Sequence, residues 1–285
     1  MASFTLGMNE FGLLSKLAAE PYKTVWGEIK RRGITSVEIC ALFNNSETAR
    51  EKTAEMEKRF SYEFPPCVAR GNTIYELVDS IRTAGLQVVS CHLMGADMYP
   101  EYITEAIPYL KEIHARTGIG QFVISCMFDS EQMVQEFLPG MEQAAAELTE
   151  KGITLCYHNH HMDCLPLETG RSAMEMIWEG CPSISFQLDI GWSWYGSMDP
   201  EQFIRKHGER ITSLHLKDFT EDARSRKDPG RFTAIGSGAV PTAECLKVKD
   251  LCSLAPDMII IDQDASCGDI YDDISSGTAF VRTAL

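Results

Sequence analysis

The stretch QFVISCMFDSEQMVQEFLPGMEQAAAELTEKGITLCYH, residues 121–158, holds two apolar runs with a segment of helical periodicity between them. The runs 121–128 and 153–158 are almost continuously apolar, which is typical of strands covered on both faces, as in a parallel sheet. The segment 131–152 repeats its apolar residues at helical spacing and ends in Gly152, a residue type that commonly terminates a helix. The pattern predicts a strand, a helix and a second strand in succession.

The same pattern recurs along the whole chain. Helical periodicity is also present in 73–85 and 101–118, and both segments end in glycine. The eight predicted strands are 3–8, 35–43, 86–93, 121–128, 153–158, 183–190, 211–218 and 258–264. Eight strand–helix units in 285 residues are what a closed (β/α)₈ barrel requires. We therefore expect an α/β fold, a (β/α)₈ TIM barrel forming a single domain over 1–285, with a doubly wound sheet of fewer strands as the alternative.

Composition restricts the partners of the protein. The formal net charge of -15 comes from acidic residues spread along the chain, so a polyanion would be repelled and we expect no nucleic-acid partner. No apolar stretch approaches the roughly 20 residues of a membrane span, and the N-terminal sequence does not resemble a signal peptide. The ten cysteines show no CxxC spacing and are expected to be reduced. These features indicate a cytoplasmic protein that does not act at a membrane.

Polar side chains are concentrated at the carboxyl ends of the predicted strands, where a TIM barrel builds its active site. The fifth run is followed by CYHNHHMDC, 156–164. The polar residues at these strand ends are Glu38, His92, His158, Asn159, His160, Asp189, His215, Lys217, Asp218, Asp262, Gln263 and Asp264. Asp189 and His215 follow apolar runs so closely that they are poorly solvated unless they face a cavity. Imidazoles and carboxylates from neighbouring strands would meet across the barrel mouth as a mixed metal site. We expect one divalent metal ion there, with Mn²⁺, Co²⁺, Zn²⁺ and Mg²⁺ all compatible.

Four stretches resemble, in the family's order, the xylose-isomerase-like TIM-barrel family, often labelled sugar phosphate isomerase/epimerase. The resemblance is to the YHNH-type subgroup, and inosose dehydratase-like and C-glycoside-cleaving proteins are similar. The stretches are GITLCYHNHHMDC (152–164), FQLDIGWSWYGSMDPEQFI (186–204), RITSLHLKDF (210–219), and FTAIGSGAV (232–240) followed by MIIIDQDAS (258–266).

The resemblance implies a set of metal ligands. The family usually holds one divalent ion through a carboxylate after strand 5, an aspartate on strand 6, a histidine on strand 7 and a glutamate on strand 8. By position these are Asp189 and His215 for strands 6 and 7, and Asp262 where many relatives have glutamate. At strand 5 this chain has histidine instead of glutamate. Either His158 is the ligand or Asp163 reaches back from the loop, and we favour His158.

The resemblance also implies the reaction, which is removal of a proton next to a carbonyl, with the metal stabilising the resulting enediolate. The candidate catalytic residues are His160, Lys217 and Asp163. Imidazole ordinarily titrates near neutral pH, so His160 is the candidate acid or base. The candidate substrate-binding residues are His92, Trp192, Trp194 and Glu38, of which the aromatic ones could stack on a sugar face or an aglycone.

We therefore expect a metal-dependent isomerase or epimerase acting on a small carbohydrate, namely a sugar, keto-sugar or cyclitol. A lyase or dehydratase is the first alternative, including a C-glycoside-cleaving subunit that eliminates a 3-keto-glycoside. A metal-binding barrel that acts only within a complex is the second, and a homo-oligomer or a second subunit is compatible with the sequence. A zinc-dependent DNA-repair endonuclease of the same fold is disfavoured by the acidic charge.

Overall fold

The computed structural model describes residues 5–43, 46–60, 63–95, 99–226 and 228–285. Eight parallel strands form a closed barrel: β1 (Gly7–Asn9), β2 (Ser36–Leu42), β3 (Gln87–Met94), β4 (Gln121–Ile124), β5 (Thr154–His158), β6 (Ser185–Asp189), β7 (Ile211–Leu216) and β10 (Ile259–Ile261). Their order around the barrel is β1, β10, β7, β6, β5, β4, β3, β2. The predicted TIM barrel is confirmed, and the doubly wound alternative is wrong. Two further strands, β8 (Asp218–Phe219) and β9 (Phe232–Thr233), form a short antiparallel pair that the sequence analysis did not predict.

Helices surround the barrel. They are α1 (Leu14–Ala19), α2 (Tyr22–Arg31), α3 (Glu47–Phe60), α4 (Thr73–Thr83), α5 (Glu101–Thr117), α6 (Glu131–Thr149), α7 (Ala173–Gly180), α8 (Ile190–Tyr195), α9 (Pro200–His207), α10 (Thr242–Lys247) and α11 (Ile270–Ala284). The three predicted helical segments correspond to α4, α5 and α6. Gly118 ends α5 with φ +74°, a left-handed conformation that glycine adopts at little cost. Along the described ranges no helix has both the length and the apolar character needed to cross a membrane.

Several strands are shorter than the apolar runs that predict them. The fourth strand was predicted over 121–128 but ends at Ile124, and the last was predicted over 258–264 but ends at Ile261. The chain leaves the ladder at these points, and the residues that follow, such as Ser125 and Asp262, line a cavity instead. Part of the predicted first strand, 3–8, lies outside the described residues.

The strands are buried on both faces, as their apolar sequences require. All seven residues of β2 are buried, and the layer between strands and helices contains large side chains such as Trp26, Tyr102 and Phe186. Removing apolar surface from water contributes about 25 cal/mol per Å², so this layer is the main source of stability. The barrel interior also contains polar side chains, for example Gln121, whose Nε2 donates to Ser213 Oγ at 3.0 Å. The apolar layer therefore stabilises the barrel, and the barrel interior can contain hydrogen-bonded polar groups.

Candidate metal centre

Four buried side chains converge at the carboxyl ends of adjacent strands. They are His158 on β5, Asp189 on β6, His215 on β7 and Asp262 after β10, and one ligand atom from each lies within 4.8 Å of the others. The register brings them together, because Asp189 pairs directly with His215 across the β6–β7 ladder. The structure thus assembles the four residues that the sequence analysis predicts as metal ligands, and we refer to them as the His/Asp cluster.

The strand 5 position of the His/Asp cluster belongs to His158. Its Nε2 lies 4.0 Å from Asp189 Oδ2. Asp163 lies instead in the 3₁₀ turn His161–Cys164, where its Oδ2 accepts a hydrogen bond from the His160 backbone N–H at 2.7 Å. Burial raises the pKa of Asp163 to about 7. His158 therefore belongs to the His/Asp cluster, whereas Asp163 holds the turn.

Glu38 lies beneath the cluster and is fully buried. Its carboxylate accepts from Asn9 Nδ2 at 2.7 Å, Ser90 Oγ at 2.6 Å and Gln187 Nε2 at 2.6 Å, and it lies 2.8 Å from His215 Nε2. Burial acts to raise its pKa, but the charges of His215 and His92 together with the hydrogen bonds from His215 and Ser90 outweigh burial and lower the pKa to about 2. Glu38 is predicted from the sequence to bind substrate, but in the structure it lies below the cavity wall, where it supports other side chains.

Glu38 also determines which nitrogen of His158 faces the cluster. A carboxylate can only accept, so the Gln187 amide nitrogen must point at Glu38. The Gln187 amide oxygen then faces His158 Nδ1 at 3.0 Å, and Nδ1 must carry the proton. Burial and the neighbouring histidines hold the pKa of His158 well below its ordinary value, so the ring is neutral. Its Nε2 lone pair is therefore directed at the cluster, as metal ligation requires.

His215 has a carboxylate at each ring nitrogen, with Asp262 Oδ2 2.9 Å from Nδ1. Burial acts to lower its pKa, but Glu38 and Asp262 outweigh burial and raise the pKa to about 10. The ring is therefore an imidazolium in this structure. A cation in the cluster would compete with the proton on Nδ1, while the other nitrogen keeps its hydrogen bond to Glu38.

Two buried carboxylate oxygens show that the cluster fits a cation. Asp189 Oδ1 accepts from the Trp192 backbone N–H at 2.6 Å, but Asp189 Oδ2 and Asp262 Oδ1 have no hydrogen-bond partner among the described residues. A buried polar atom left without a partner costs free energy. Burial and the charge of Asp262 raise the pKa of Asp189 to about 7 even though Lys217 opposes them. A divalent ion would supply both oxygens with a partner and favour the ionised form of both carboxylates.

Lys217 adds a fixed positive charge beside the cluster. Its Nζ lies 2.9 Å from Asp262 Oδ2, 2.6 Å from Asp264 Oδ2 and 3.7 Å from Asp189 Oδ2. Burial acts to lower its pKa, but the three carboxylates outweigh burial and raise it. Lys217 is therefore protonated near neutral pH, where it can orient an oxygen atom.

Two further histidines face the cavity above the cluster. His160 Nδ1 is buried and has no hydrogen-bond partner in the described part of the chain, whereas His92 Nε2 lies 3.4 Å from Ser125 Oγ. Burial, reinforced by Lys217, lowers the pKa of His160 to about 3, and burial lowers that of His92 to about 4. The expectation that His160 keeps its ordinary pKa is wrong. Both rings are neutral near pH 7 and can accept a proton.

The cavity at the barrel mouth has a volume of about 350 Å³. On the cluster side it is lined by His158, His160, Trp192, Lys217, Asp262 and Asp264. Trp194, which the sequence analysis expects to contact substrate, does not belong to this wall. Its ring stacks on Phe219 with 6.2 Å between centroids, and Arg224 covers it at 4.4 Å.

Two residues that support the His/Asp cluster are not predicted from the sequence. Gln187 sets the orientation of His158, and its signal was a polar residue inside an apolar run, two positions before Asp189 and so on the same face of the strand. Asn159 was noted as polar but given no role. Its Oδ1 accepts from the Asp189 backbone N–H at 2.9 Å, and its Nδ2 donates to the Asp189 carbonyl at 3.2 Å. Asn159 thereby fixes the backbone that carries Asp189.

Comparisons with known proteins agree with this architecture. An inosose dehydratase from Geobacillus kaustophilus (strain HTA426) is 29% identical over 129 residues, which is 41% of this chain and 41% of that enzyme. A solved sugar phosphate isomerase/epimerase from Parabacteroides distasonis ATCC 8503 superposes with a TM-score of 0.73 at 19% identity, over 100% of this chain and 95% of that chain. The IOLI protein with a bound zinc atom superposes with a TM-score of 0.65 at 14% identity, over 98% of this chain and 97% of that chain.

The family model described as xylose isomerase-like TIM barrel matches residues 101–248, which is more than half of the chain. The matched range contains β4 to β7 and therefore three of the four residues of the His/Asp cluster, His158, Asp189 and His215. The barrel topology, the position of the cluster at the strand ends and this match agree. The chain belongs to the xylose isomerase-like TIM barrel family.

Proposed function

We propose that the protein is a divalent-metal-dependent enzyme that removes a proton from the carbon next to a carbonyl of a keto-sugar or cyclitol, as an isomerase or epimerase does. The observation that carries this proposal is the His/Asp cluster, which brings two imidazoles and two carboxylates together beside a cavity that His158 and Asp262 line. The Parabacteroides distasonis neighbour is a sugar phosphate isomerase/epimerase, which supports the reaction class, and the zinc in the IOLI protein supports metal binding.

The ligand set indicates which ions to test. Two imidazole nitrogens favour a transition-metal ion over Mg²⁺, whose ligands in proteins are mostly oxygen atoms. When bound, a divalent ion would draw electron density from the substrate carbonyl and stabilise the enediolate charge. Glu38 and Gln187 would hold the two histidine ligands in the required orientation.

His160 is the proposed base. Its ring is neutral and lines the cavity, and its Nδ1 has no partner among the described residues. The carbon–hydrogen bond breaks, the proton goes to His160, and the electron pair moves to the carbonyl oxygen. Because burial and Lys217 disfavour the imidazolium, the ring returns the proton readily to the neighbouring carbon, as an isomerase requires. An epimerase would need a second group that donates a proton to the opposite face, and His92 also lines the cavity. The ammonium of Lys217 would steady the substrate oxygens.

A dehydratase is the second candidate, and the match to inosose dehydratase favours it. Elimination of water needs a group that protonates the leaving hydroxyl. Asp264 lines the cavity, and burial raises its pKa to about 6 although Lys217 opposes this. A carboxylic acid with such a pKa could donate that proton. The enediolate step would be the same for both candidates.

Hydrogen exchange in D₂O tests the shared step. The full chain is stripped with a chelator, reloaded separately with Mn²⁺, Co²⁺, Zn²⁺ or Mg²⁺, and incubated with D-fructose or with 2-keto-myo-inositol. We expect metal-dependent deuterium at the carbon next to the carbonyl, and mass loss of one water if the enzyme is a dehydratase. His160→Ala should keep its metal and lose about 10²- to 10⁴-fold in exchange rate. Full exchange in this variant, or exchange that does not depend on metal, would contradict the proposal.

A further inference from the structure

The cavity has a second wall, which the proposed reaction does not use. It is formed by the ends of β1, β3 and β4, by α3 and by Phe64. We call it the apolar wall, and its main side chains are Phe11, Met56, Phe64, Leu93, Met94 and Met127. Met94 and Met127 are half-buried, and Met56 and Phe64 are buried. The apolar wall faces the cluster side across the same space.

The polar groups on this side of the cavity already have partners. Asn9 donates to Glu38 at 2.7 Å and accepts from the Phe11 backbone N–H at 2.7 Å. Ser125 Oγ lies 3.4 Å from His92. Among the described residues that line the cavity, the lysine and the aspartates all lie on the cluster side. Apart from His92, this side of the cavity therefore has little to offer the hydroxyl groups of a sugar.

This asymmetry limits what the cavity can hold. A hydroxyl group buried without a hydrogen bond costs roughly 1–3 kcal/mol in proteins, so a sugar with hydroxyls on every edge fits the apolar wall poorly. Apolar surface buried there contributes about 25 cal/mol per Å². Phenylalanine rings and methionine sulfur both make favourable contacts with aromatic rings, and methionine adapts its shape to different ligands.

We propose that the substrate is amphiphilic, with its carbohydrate-like part at the His/Asp cluster and an aromatic substituent against the apolar wall. The inference rests on the proposed function for the carbohydrate part. A volume of about 350 Å³ lies within the range of small-molecule sites, which are mostly apolar with a few placed polar groups. The cluster side does not require an aromatic substituent, and this part of the inference comes from the apolar wall.

The test compares binding of phenyl β-D-glucoside and methyl β-D-glucoside to the Mn²⁺-loaded full chain by calorimetry. These probes share the sugar and differ in the group offered to the apolar wall. We expect the phenyl compound to bind at least about tenfold more tightly. Met127→Gln and Met94→Gln keep the side-chain length but add an amide, and each should reduce the phenyl preference about threefold or more. Met198→Gln changes a half-buried methionine outside this cavity and should leave both affinities unchanged.

Equal affinities for the two glucosides, no saturable binding of the phenyl compound, or a phenyl preference that survives both substitutions would overturn the inference. The measurement involves no turnover, so its outcome is separate from that of the exchange test. Metal-dependent exchange with D-fructose but no phenyl preference would keep the proposed function and remove the aromatic substituent. A phenyl preference without exchange would keep the apolar wall as a binding site and remove the proposed reaction.

Discussion

The two sides of the barrel mouth differ although the same fold builds both. On the cluster side, β5, β6, β7 and β10 end in histidines and aspartates that hydrogen bonds and charges hold in place. On the opposite side, the ends of β1, β3 and β4 and helix α3 contribute phenylalanine and methionine. The first side is fixed mainly by hydrogen bonds and charges, and the second mainly by apolar packing. The barrel fold therefore determines only that these strand ends line one cavity. The side chains on each side of the cavity determine the chemistry of that side.

The largest effect should come from removing a ligand on the cluster side. We expect His158→Ala to lose its metal, because one of the four ligands is removed from the cluster. Asp163→Ala, a change five residues away, should retain the metal, because Asp163 caps a turn and does not belong to the cluster. Metal content after loading with Mn²⁺, Co²⁺ or Zn²⁺ is measured by inductively coupled plasma mass spectrometry.

The opposite pattern, with metal lost in Asp163→Ala and kept in His158→Ala, would make the loop aspartate the ligand. Circular dichroism of both variants shows whether the barrel remains folded. A wild-type protein that takes up none of the tested ions would remove the metal centre altogether.

A smaller effect on the same side is expected from Glu38→Gln. The carboxylate accepts from Gln187 and contacts His215, so its replacement disturbs the orientation of two ligands without removing either. Loss of such a supporting contact typically weakens metal affinity about 10- to 100-fold. Competition with a fluorescent chelator measures the affinity, and Ser90→Ala, which removes another partner of Glu38, is the milder control. If Glu38→Gln binds metal as tightly as the wild type, Glu38 does not orient the ligands.

The same contrast explains what the sequence could predict. The cluster side was predictable because a charged residue at the end of an apolar run stands out, as Asp189 and His215 do, and because parallel strands end together. The supporting role of Glu38 could not be predicted from the sequence, because the depth of Glu38 below the cavity depends on how the barrel closes. The lowered pKa of His160 was missed for a similar reason, since burial is a property of the assembled site.

The apolar wall was not predictable for a different physical reason. Phenylalanine and methionine are common in any core, and nothing in the sequence separates those that line a cavity from those that fill one. Met56 and Phe64 reach the site from α3 and from the segment after it, and neither stands at a strand end. Only the closed barrel brings them opposite the cluster.

The smallest effect on metal binding is expected from replacing a buried carboxyl group on the apolar side. Glu10 follows β1, is fully buried, and its Oε2 accepts from the Cys40 backbone N–H at 2.8 Å. Burial raises its pKa to about 8, although the Cys40 contact opposes the rise. The thiols of Cys40 and Cys67 and the hydroxyl of Tyr22 lie near it, and their pKa values are raised too, so they stay neutral in this range.

Between the unfolded pKa of 4.5 and the folded pKa of about 8, the folded protein binds more protons at Glu10 than the unfolded chain does. Stability from this group is therefore present at low pH and falls as pH rises through that range. Glu10→Gln cannot ionise, so urea unfolding should show the free energy of unfolding of the variant rising relative to that of the wild type by on the order of 4 kcal/mol between pH 5 and pH 8.5. Metal content should not change, because Glu10 does not touch the His/Asp cluster. A stability difference that is the same at both pH values would show that Glu10 is ionised in the fold, and the apolar side would then carry a charge of its own.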